Sequence, residues 1–171
     1  MNDRAPDSPQ HPLADDVDWL LNRVWLGFGE ARAVALEPLG LTVRDHVLLT
    51  VLRRVEVSQI ELGTIARVDK SVLTTTIDAL EAKGYVQREP DESDRRVRRP
   101  RLTPAGEKVC VAADEVSARV QEELLAQIPR DARARFVEVI RDLALGPFAE
   151  SVVFSQTAER SRRLDVKRRV L

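Results

Sequence analysis

The chain has 171 residues, of which 43% are apolar and only 4% aromatic. This composition suits one domain, or two small closely packed ones, with a core of Leu, Val, Ile and Ala, and it favours helices over a β-sandwich. The 27 basic and 28 acidic residues nearly balance, so net charge gives no indication of a nucleic-acid partner, and the single cysteine excludes an internal disulfide and a cysteine-rich zinc site.

The first part of the chain predicts a polar lead followed by two helices. Residues 1–12 are polar and contain three prolines, which predicts a disordered segment. From Leu13 apolar residues recur at spacings of three and four, which indicates a helix that ends before Gly40. Thr42 and Asp45 have the spacing of a capping box and begin a second helix.

Two more helices are predicted between residues 58 and 84. Ser58 and Glu61 repeat the capping-box spacing and open a short third helix, whose buried face we expect to contain Leu62, Ile65 and Ala66. Asp69 is a suitable N-cap for a fourth helix. The apolar residues of that helix have spacings of four and three: Leu73, Ile77 and Leu80. Gly84 follows at the position where a left-handed residue ends a helix.

A β-hairpin is predicted next. Residues 85–88 form a short strand, residues 90–94 are rich in turn formers, and residues 97–102 form a returning strand, in which Pro100 favours an edge. The order of helix, short helix, turn, helix, strand, charged loop and strand is that of a winged helix-turn-helix. The fold class is therefore mainly α with a small β-hairpin.

The C-terminal part predicts two further helices and a basic tail. Thr103 and Pro104 are typical of a helix start, and apolar residues then recur over more than twenty positions until Pro129. A last helix ends at Gly146. Net charge is +2 over residues 88–101 and +5 over residues 160–171, and such localised basic segments indicate nucleic-acid binding more directly than the total charge.

The candidate DNA-contacting residues follow from this fold, because the second helix of the pair enters the major groove. Lys70 and Ser71 can reach phosphate or a base edge, and Thr74 and Thr75 offer a hydroxyl and a methyl group. Arginines at the hairpin tip suit a narrow minor groove, although a solvated turn paired with acidic residues is the alternative. The full candidate set is Ser58, Gln59, Asp69, Lys70, Ser71, Val72, Thr74, Thr75, Arg95, Arg96 and Arg98.

Residues 58–106 resemble the MarR family of bacterial regulators. The matching segments are Ser58 to Leu62, Val68 to Ser71, Leu80 to Val86, Asp94 to Arg96 and Leu102 to Gly106. The sequence departs from the family at Thr75, where an Arg is frequent, and at Arg67, where Gly is usual. A positive φ at Arg67 would bring strain.

The resemblance implies a homodimer that binds a pseudo-palindromic operator in double-stranded DNA, usually as a repressor, and that releases DNA when a small phenolic or acidic molecule binds. We therefore interpret the chain as a lead (1–12), an N-terminal dimerisation helix (13–41), a winged helix-turn-helix domain (42–103), C-terminal dimerisation helices (104–146) and a basic tail (147–171). The tail either reaches flanking DNA or the partner subunit, or is a solvated end.

Four residues are candidates for effector binding: Trp19, Arg23, Trp25 and His46. Packing in the core or the dimer is the alternative for the tryptophans, and Arg32 is a further candidate to hold a carboxylate. Cys110 is expected to be buried and inert, a redox sensor being the alternative.

Other functions are weaker interpretations. A winged-helix module that binds protein without specific DNA binding is the second hypothesis. An enzyme is disfavoured, because no nucleophile–base pair, metal-ligand spacing or phosphate loop is present; no cofactor or metal is expected. Without a signal peptide or a membrane-length apolar run in this sequence, we expect a cytoplasmic protein that has no membrane partner.

Overall fold

A computed structural model describes residues 11–91 and 98–146 of the chain. Predictions about most of the lead, about Arg95 and Arg96, and about the tail lie outside these residues. The chain divides into two compact units, one up to Leu124 and the other from Leu125 onwards. In the part of the chain that is described, no helix combines the length and apolarity needed to cross a membrane.

The described chain is mainly helical with one hairpin, as the sequence predicts. Its elements are α1 (Val17–Leu36), a 3-10 turn (Glu37–Leu39), α2 (Val43–Arg54), α3 (Gln59–Ala66), α4 (Lys70–Ala82), β1 (Val86–Pro90), β2 (Arg98–Leu102), α5 (Pro104–Ala126) and α6 (Arg133–Leu145).

The helix starts follow local capping chemistry. Both predicted capping boxes are present: the side chain of Thr42 accepts from the backbone of Asp45, that of Ser58 accepts from Glu61, and each acidic side chain accepts in return from the N-cap backbone. These bonds satisfy N–H groups that a helix leaves without partners at its start. Helix α1 begins later than predicted, because Asp16, and not a residue near Leu13, caps it by accepting from Trp19 N.

The hairpin pairs β1 and β2 antiparallel, from Val86 opposite Leu102 to Pro90 opposite Arg98. The first strand runs two residues further than the predicted end at Arg88, and Pro100 lies in β2 opposite Arg88. A sheet of only two strands leaves each strand with an unpaired edge, so a proline that lacks an N–H is tolerated there.

The core of the first unit is aliphatic and lies between α1, α2, α3, α4, β1 and α5. Its fully or almost fully buried members are Leu36, Leu41, Leu48, Leu49, Leu62, Leu73, Ile77, Leu80, Val86, Cys110 and Ala113. The prediction that Ile65 belongs to the buried face of α3 is wrong, since its side chain is 53% exposed. Gly63 packs closely on α4: a Cβ atom added to it would lie 2.9 Å from a methyl group of Leu73. This orientation of α3 turns Ile65 outward.

The second unit contains α6. Arg133 joins the start of this helix to the preceding turn, because its guanidinium donates to the carbonyl oxygens of Ile128 and Ala126 at 2.9 and 3.2 Å. The apolar side chains of α6 are partly exposed and recur at helical spacing: Phe136, Val139, Ile140 and Leu143.

Candidate nucleic-acid interface

Helices α3 and α4 form the predicted pair through a tight turn. Arg67 ends α3 in the left-handed conformation with φ of 52°, and the N–H of Val68 returns to the carbonyl of Gly63 at 3.0 Å. A non-glycine residue in this conformation costs about 1 kcal/mol. Gly63 allows α4 to approach α3 closely, because its missing side chain leaves room for Leu73.

Helix α4 has one buried side and one exposed side. Leu73, Ile77 and Leu80 are buried, as predicted. At 100° per residue, Thr75 points almost directly away from this buried stripe, and Ser71 lies one turn earlier on the same outward side. Both residues are exposed. The face available to a ligand in the first two turns of α4 is thus centred on Ser71 and Thr75.

Three consecutive threonines of α4 turn their hydroxyl groups back to the helix backbone. Each donates to the carbonyl oxygen four residues earlier: Thr74 to Lys70, Thr75 to Ser71 and Thr76 to Val72, at 2.9, 3.0 and 2.7 Å. This type of bond fixes the side-chain rotamer and uses the only hydroxyl proton. While these bonds are kept, the oxygen atoms of these side chains act towards a ligand only as acceptors.

The predicted contact residue Gln59 is tied to α4. Its amide nitrogen donates to the hydroxyl oxygen of Thr74 at 3.3 Å, and its carbonyl oxygen accepts from Arg88 Nε at 3.4 Å. Thr74 therefore has both its proton and one lone pair engaged. Among the threonines selected from the sequence, Thr75 presents the more open side chain.

Arg88 forms ion pairs with two carboxylates beside this surface. It is a residue that the sequence analysis placed in a basic segment but gave no role. Its guanidinium forms ion pairs with Asp78 and Glu81 of α4, and the backbone N–H of Arg88 donates to Glu81 at 3.2 Å. Strand β1 is thereby joined to α4, and the single positive charge of Arg88 offsets part of the negative charge of the helix.

The remaining candidates on α3 and α4 differ in how far they are engaged. Ser58 is half-buried and its oxygen accepts from Glu61 N at 3.3 Å; the backbone hydrogen bond from Ser58 lowers the pKa of Glu61. Asp69 occupies the N-cap position of α4 without a side-chain capping bond, in contrast to the expected cap. Lys70 is exposed, and Val72 is half-buried.

The described arginines of β2 differ in their environments. Arg98 is exposed and has no ion pair with another described residue. Arg99 pairs with the buried Asp91, and the hydrogen bond that Arg99 donates to Asp91 raises the pKa of Arg99.

Arg101 fixes the base of the hairpin. It pairs with Glu89 at 3.0 Å and with Glu56 in the loop between α2 and α3. Its hydrogen bond lowers the pKa of Glu56. Arg101 therefore anchors the hairpin to the helix pair, whereas Arg98 is available to a ligand.

The four effector candidates are not brought together as one group. Trp19 is half-buried and stacks on His11 with ring centroids 4.2 Å apart, whereas Arg23 and Trp25 are exposed on α1. His46 is 5% exposed. It lies instead beside Arg32, the other arginine considered for a carboxylate ligand.

His46 joins three helices through a buried polar network. Its Nδ1 is 3.2 Å from both a guanidinium nitrogen of Arg32 on α1 and the Ser117 hydroxyl on α5. Because guanidinium only donates, Nδ1 accepts and Nε2 carries the proton. Nε2 donates to Asp114 at 2.7 Å. Burial lowers the pKa of Arg32.

The network continues to Arg53 of α2, which pairs with Asp114 at 2.9 Å. The partners of His46 lie 14, 68 and 71 positions away in the sequence, so spacing could not reveal them.

Comparison with known proteins gives the following matches. The model of the MarR family matches residues 39–97. The transcriptional repressor CouR, solved with a 23-mer DNA duplex, has a TM-score of 0.74 and 24% identity, covering 81% of this chain and 99% of that chain. CouR from Rhodococcus jostii RHA1 bound to p-coumaroyl-CoA has a TM-score of 0.70 and 27% identity, with coverage of 82% and 99%. The MarR family protein Rv2887 of Mycobacterium tuberculosis, in complex with p-aminosalicylic acid, has a TM-score of 0.64 and 27% identity, with coverage of 75% and 98%.

Proposed function

We propose that this chain, whose residues 39–97 match the model of the MarR family, is a homodimeric transcription regulator of the winged helix-turn-helix type, a repressor that binds a palindromic operator and is released by a small effector. The observation that carries the proposal is the helix pair α3–α4 with its outward face of Lys70, Ser71 and Thr75, flanked by the β1–β2 hairpin. CouR, similar to this chain, is a transcriptional repressor whose structure holds a DNA duplex.

The DNA contacts that we propose divide by chemistry. Lys70 at the start of α4 and Arg98 at the start of β2 are exposed cations suited to phosphate. The first N–H groups of α4 are available as well, because Asp69 does not use them as a cap. Arg95 and Arg96 remain candidates for the minor groove on the sequence argument. Base reading belongs to the outward side chains of α4, which enters the major groove.

Exposed apolar side chains support the homodimer. On α1, six are between 39% and 67% exposed: Val17, Leu20, Leu21, Val24, Trp25 and Leu26. On α6, four are between 37% and 42% exposed: Phe136, Val139, Ile140 and Leu143. Apolar rows of this extent are typical of a surface that a second protein covers. A two-fold dimer presents two α4 helices to successive major grooves, roughly 34 Å apart.

An acidic aromatic effector is proposed from the relatives and from the charges on α1. CouR has been solved with p-coumaroyl-CoA and Rv2887 with p-aminosalicylic acid. Arg23 is an exposed cation, and Arg32 lies over the ring of Phe28 at 5.8 Å while it donates to His46. A carboxylate that binds Arg32 would compete with His46. This would loosen the link between α1 and α2 and thereby weaken DNA binding.

The test is DNA binding by the full chain at two salt concentrations, with its own upstream DNA and with an unrelated duplex of equal length. Lys70→Ala should weaken binding to every sequence and reduce the slope of log K against log salt by about one unit for each protomer. The matched control is Lys108→Ala, which removes an exposed lysine from α5 and should leave the slope unchanged.

The outcomes separate the two candidate functions. Salt-dependent binding with preference for the upstream DNA supports the regulator. Equal binding to both duplexes, or none, would favour the winged-helix module that interacts with protein. If Lys70→Ala and Thr75→Ala both left operator affinity and specificity unchanged, α4 would not be the recognition helix.

A further inference from the structure

The base-reading chemistry of α4 is restricted by its own sequence. The helix reads KSVLTTTIDALEA and contains no arginine, asparagine or glutamine. Of the residue types that make bidentate contacts with guanine or adenine, it has only Lys70, at its first position. Thr75 is the outward residue of the second turn and is exposed. Direct reading at the centre of the helix therefore falls to a threonine.

The hydroxyl of Thr75 cannot donate to a base while it donates to the Ser71 carbonyl oxygen at 3.0 Å. Its oxygen retains acceptor capacity, and its γ-methyl, the other branch of Cβ, is an apolar surface. Thr74 is less open, because Gln59 already donates to its oxygen at 3.3 Å. Thr75 thus offers one acceptor and one methyl group to the groove.

Only some groups in the major groove are complementary to the acceptor and the methyl group of Thr75. Adenine N6 and cytosine N4 are donors, thymine C5 carries a methyl group, and the edge of guanine presents the acceptors O6 and N7. An A·T pair supplies both a donor and a methyl group. A guanine opposite the Thr75 oxygen would place acceptor against acceptor.

We propose that Thr75 determines specificity and selects an A·T pair in each half-site, accepting from the adenine amino group and packing its methyl group on the thymine methyl. This rests on the DNA-binding function proposed above. The neighbouring carboxylate of Asp78 does not replace Thr75 in this role, because Arg88 holds it in an ion pair.

The fixed geometry of the threonine makes this selection sharper than a mobile side chain would. A rotamer that is held by the Ser71 carbonyl loses little freedom on binding, so the methyl contact and the accepted hydrogen bond carry little entropic cost. Serine at this position would keep the acceptor and lose the methyl group. Valine would keep both branches of Cβ and lose the acceptor.

The experiment selects duplexes from a random library with the full chain and then measures affinity for the selected operator and for altered copies. In one copy, deoxyuridine replaces each thymidine in turn, which removes only the C5 methyl group. At one position in each half-site, we expect about a fourfold loss of affinity, the equivalent of about 0.8 kcal/mol for one methyl group removed from a contact.

Two variants assign that effect to Thr75. Thr75→Ser should bind thymidine and deoxyuridine operators equally at this position. Thr75→Val should keep the sensitivity to the methyl group and prefer the A·T pair less strongly than the unmodified chain does, because it can no longer accept from the adenine amino group. Thr64→Ser is the control, because Thr64 is an exposed threonine of α3 whose hydroxyl also donates to the carbonyl four residues earlier, at 3.2 Å. It should behave as the unmodified chain does.

The possible failures are distinguishable. Absence of salt-dependent binding to any duplex would overturn both the regulator function and this inference. Selective binding that is insensitive to deoxyuridine at every position would overturn the inference alone. The inference would also be overturned if the unmodified chain selected guanine at a position where Thr75→Val has no such preference. The Thr75 hydroxyl would then donate to the guanine. The deoxyuridine measurement uses the unmodified chain and does not depend on the folding of a variant.

Discussion

Gly106 in the first turn of α5 lies against the backbone of Tyr85, the residue that precedes β1. A Cβ at this position would overlap the carbonyl oxygen of Tyr85 and lie 2.9 Å from its carbonyl carbon. The same oxygen accepts from Thr103 N at 3.0 Å, which closes the hairpin onto α5. In Gly106→Ala the helix or the strand must therefore move by about 1 Å to reach the 3.0 Å that real Cβ atoms keep.

The expected cost follows from these contacts. Overpacking costs about 1–3 kcal/mol, and loss of the Thr103–Tyr85 hydrogen bond adds about 1 kcal/mol. Alanine gains about 1 kcal/mol in helix propensity over glycine. We expect the free energy of unfolding to fall by about 1–3 kcal/mol, and DNA affinity to fall because the hairpin shifts.

Urea unfolding at one fixed protomer concentration measures this change, since the stability of a dimer depends on concentration. The control is Ala105→Gly in the same turn, where the residue is exposed and only propensity changes, with a loss of about 1 kcal/mol. A Gly106→Ala protein as stable as the original, or more stable, would refute the close approach.

Three further predictions concern buried or paired groups. Arg88→Ala should weaken binding to all DNA sequences, because the carboxylates of Asp78 and Glu81 would then repel phosphate; gel shifts measure this. His46→Ala should lower the free energy of unfolding by about 2–4 kcal/mol, because it leaves a cavity and removes buried hydrogen bonds. Burial raises the pKa of the Cys110 thiol. Alkylation of the native protein should therefore be much slower than in urea, and stability should fall as pH rises above the usual thiol pKa, because the unfolded thiol ionises first.

Each of these has a discriminating control. Arg88→Lys keeps the positive charge and should recover part of the DNA affinity. If Arg88→Ala bound DNA as tightly as the original chain does, the proposed charge compensation would be contradicted. His46→Gln can still donate to Asp114 and should lose less stability than His46→Ala. Rapid alkylation of native Cys110 would show that its side chain is accessible, in conflict with its complete burial.

Local signals in the sequence were sufficient for the order and type of the elements. Both capping boxes, the apolar spacing of α4 and the left-handed Gly84, with φ of 73°, depend on residues at most four positions apart. The fold class and the resemblance to the MarR family are confirmed. The positive φ considered for Arg67 is present. The assignment of individual DNA-contacting residues stays a prediction.

One error in the prediction from sequence has a local cause, and the others have tertiary causes. The apolar pattern alone placed the start of α1 at Leu13 and did not show that Asp16 would cap the helix. Periodicity put Ile65 inside, but the contact of Gly63 with α4 rotates α3 and leaves Ile65 exposed. The hairpin arginines formed one basic segment in the sequence, and only pairing distinguishes Arg99 from Arg98.

The sequence by itself determined a winged helix-turn-helix, because caps, helix stops and apolar periods act within a few residues. The tertiary structure decided which polar side chains remain available to a ligand. Gln59 is engaged by Arg88, 29 positions away, and His46 by Asp114, 68 positions away. Such bonds depend on the packing of elements and not on spacing. Of the two threonines that the sequence offered to a base edge, the fold engages Thr74 and leaves Thr75 open.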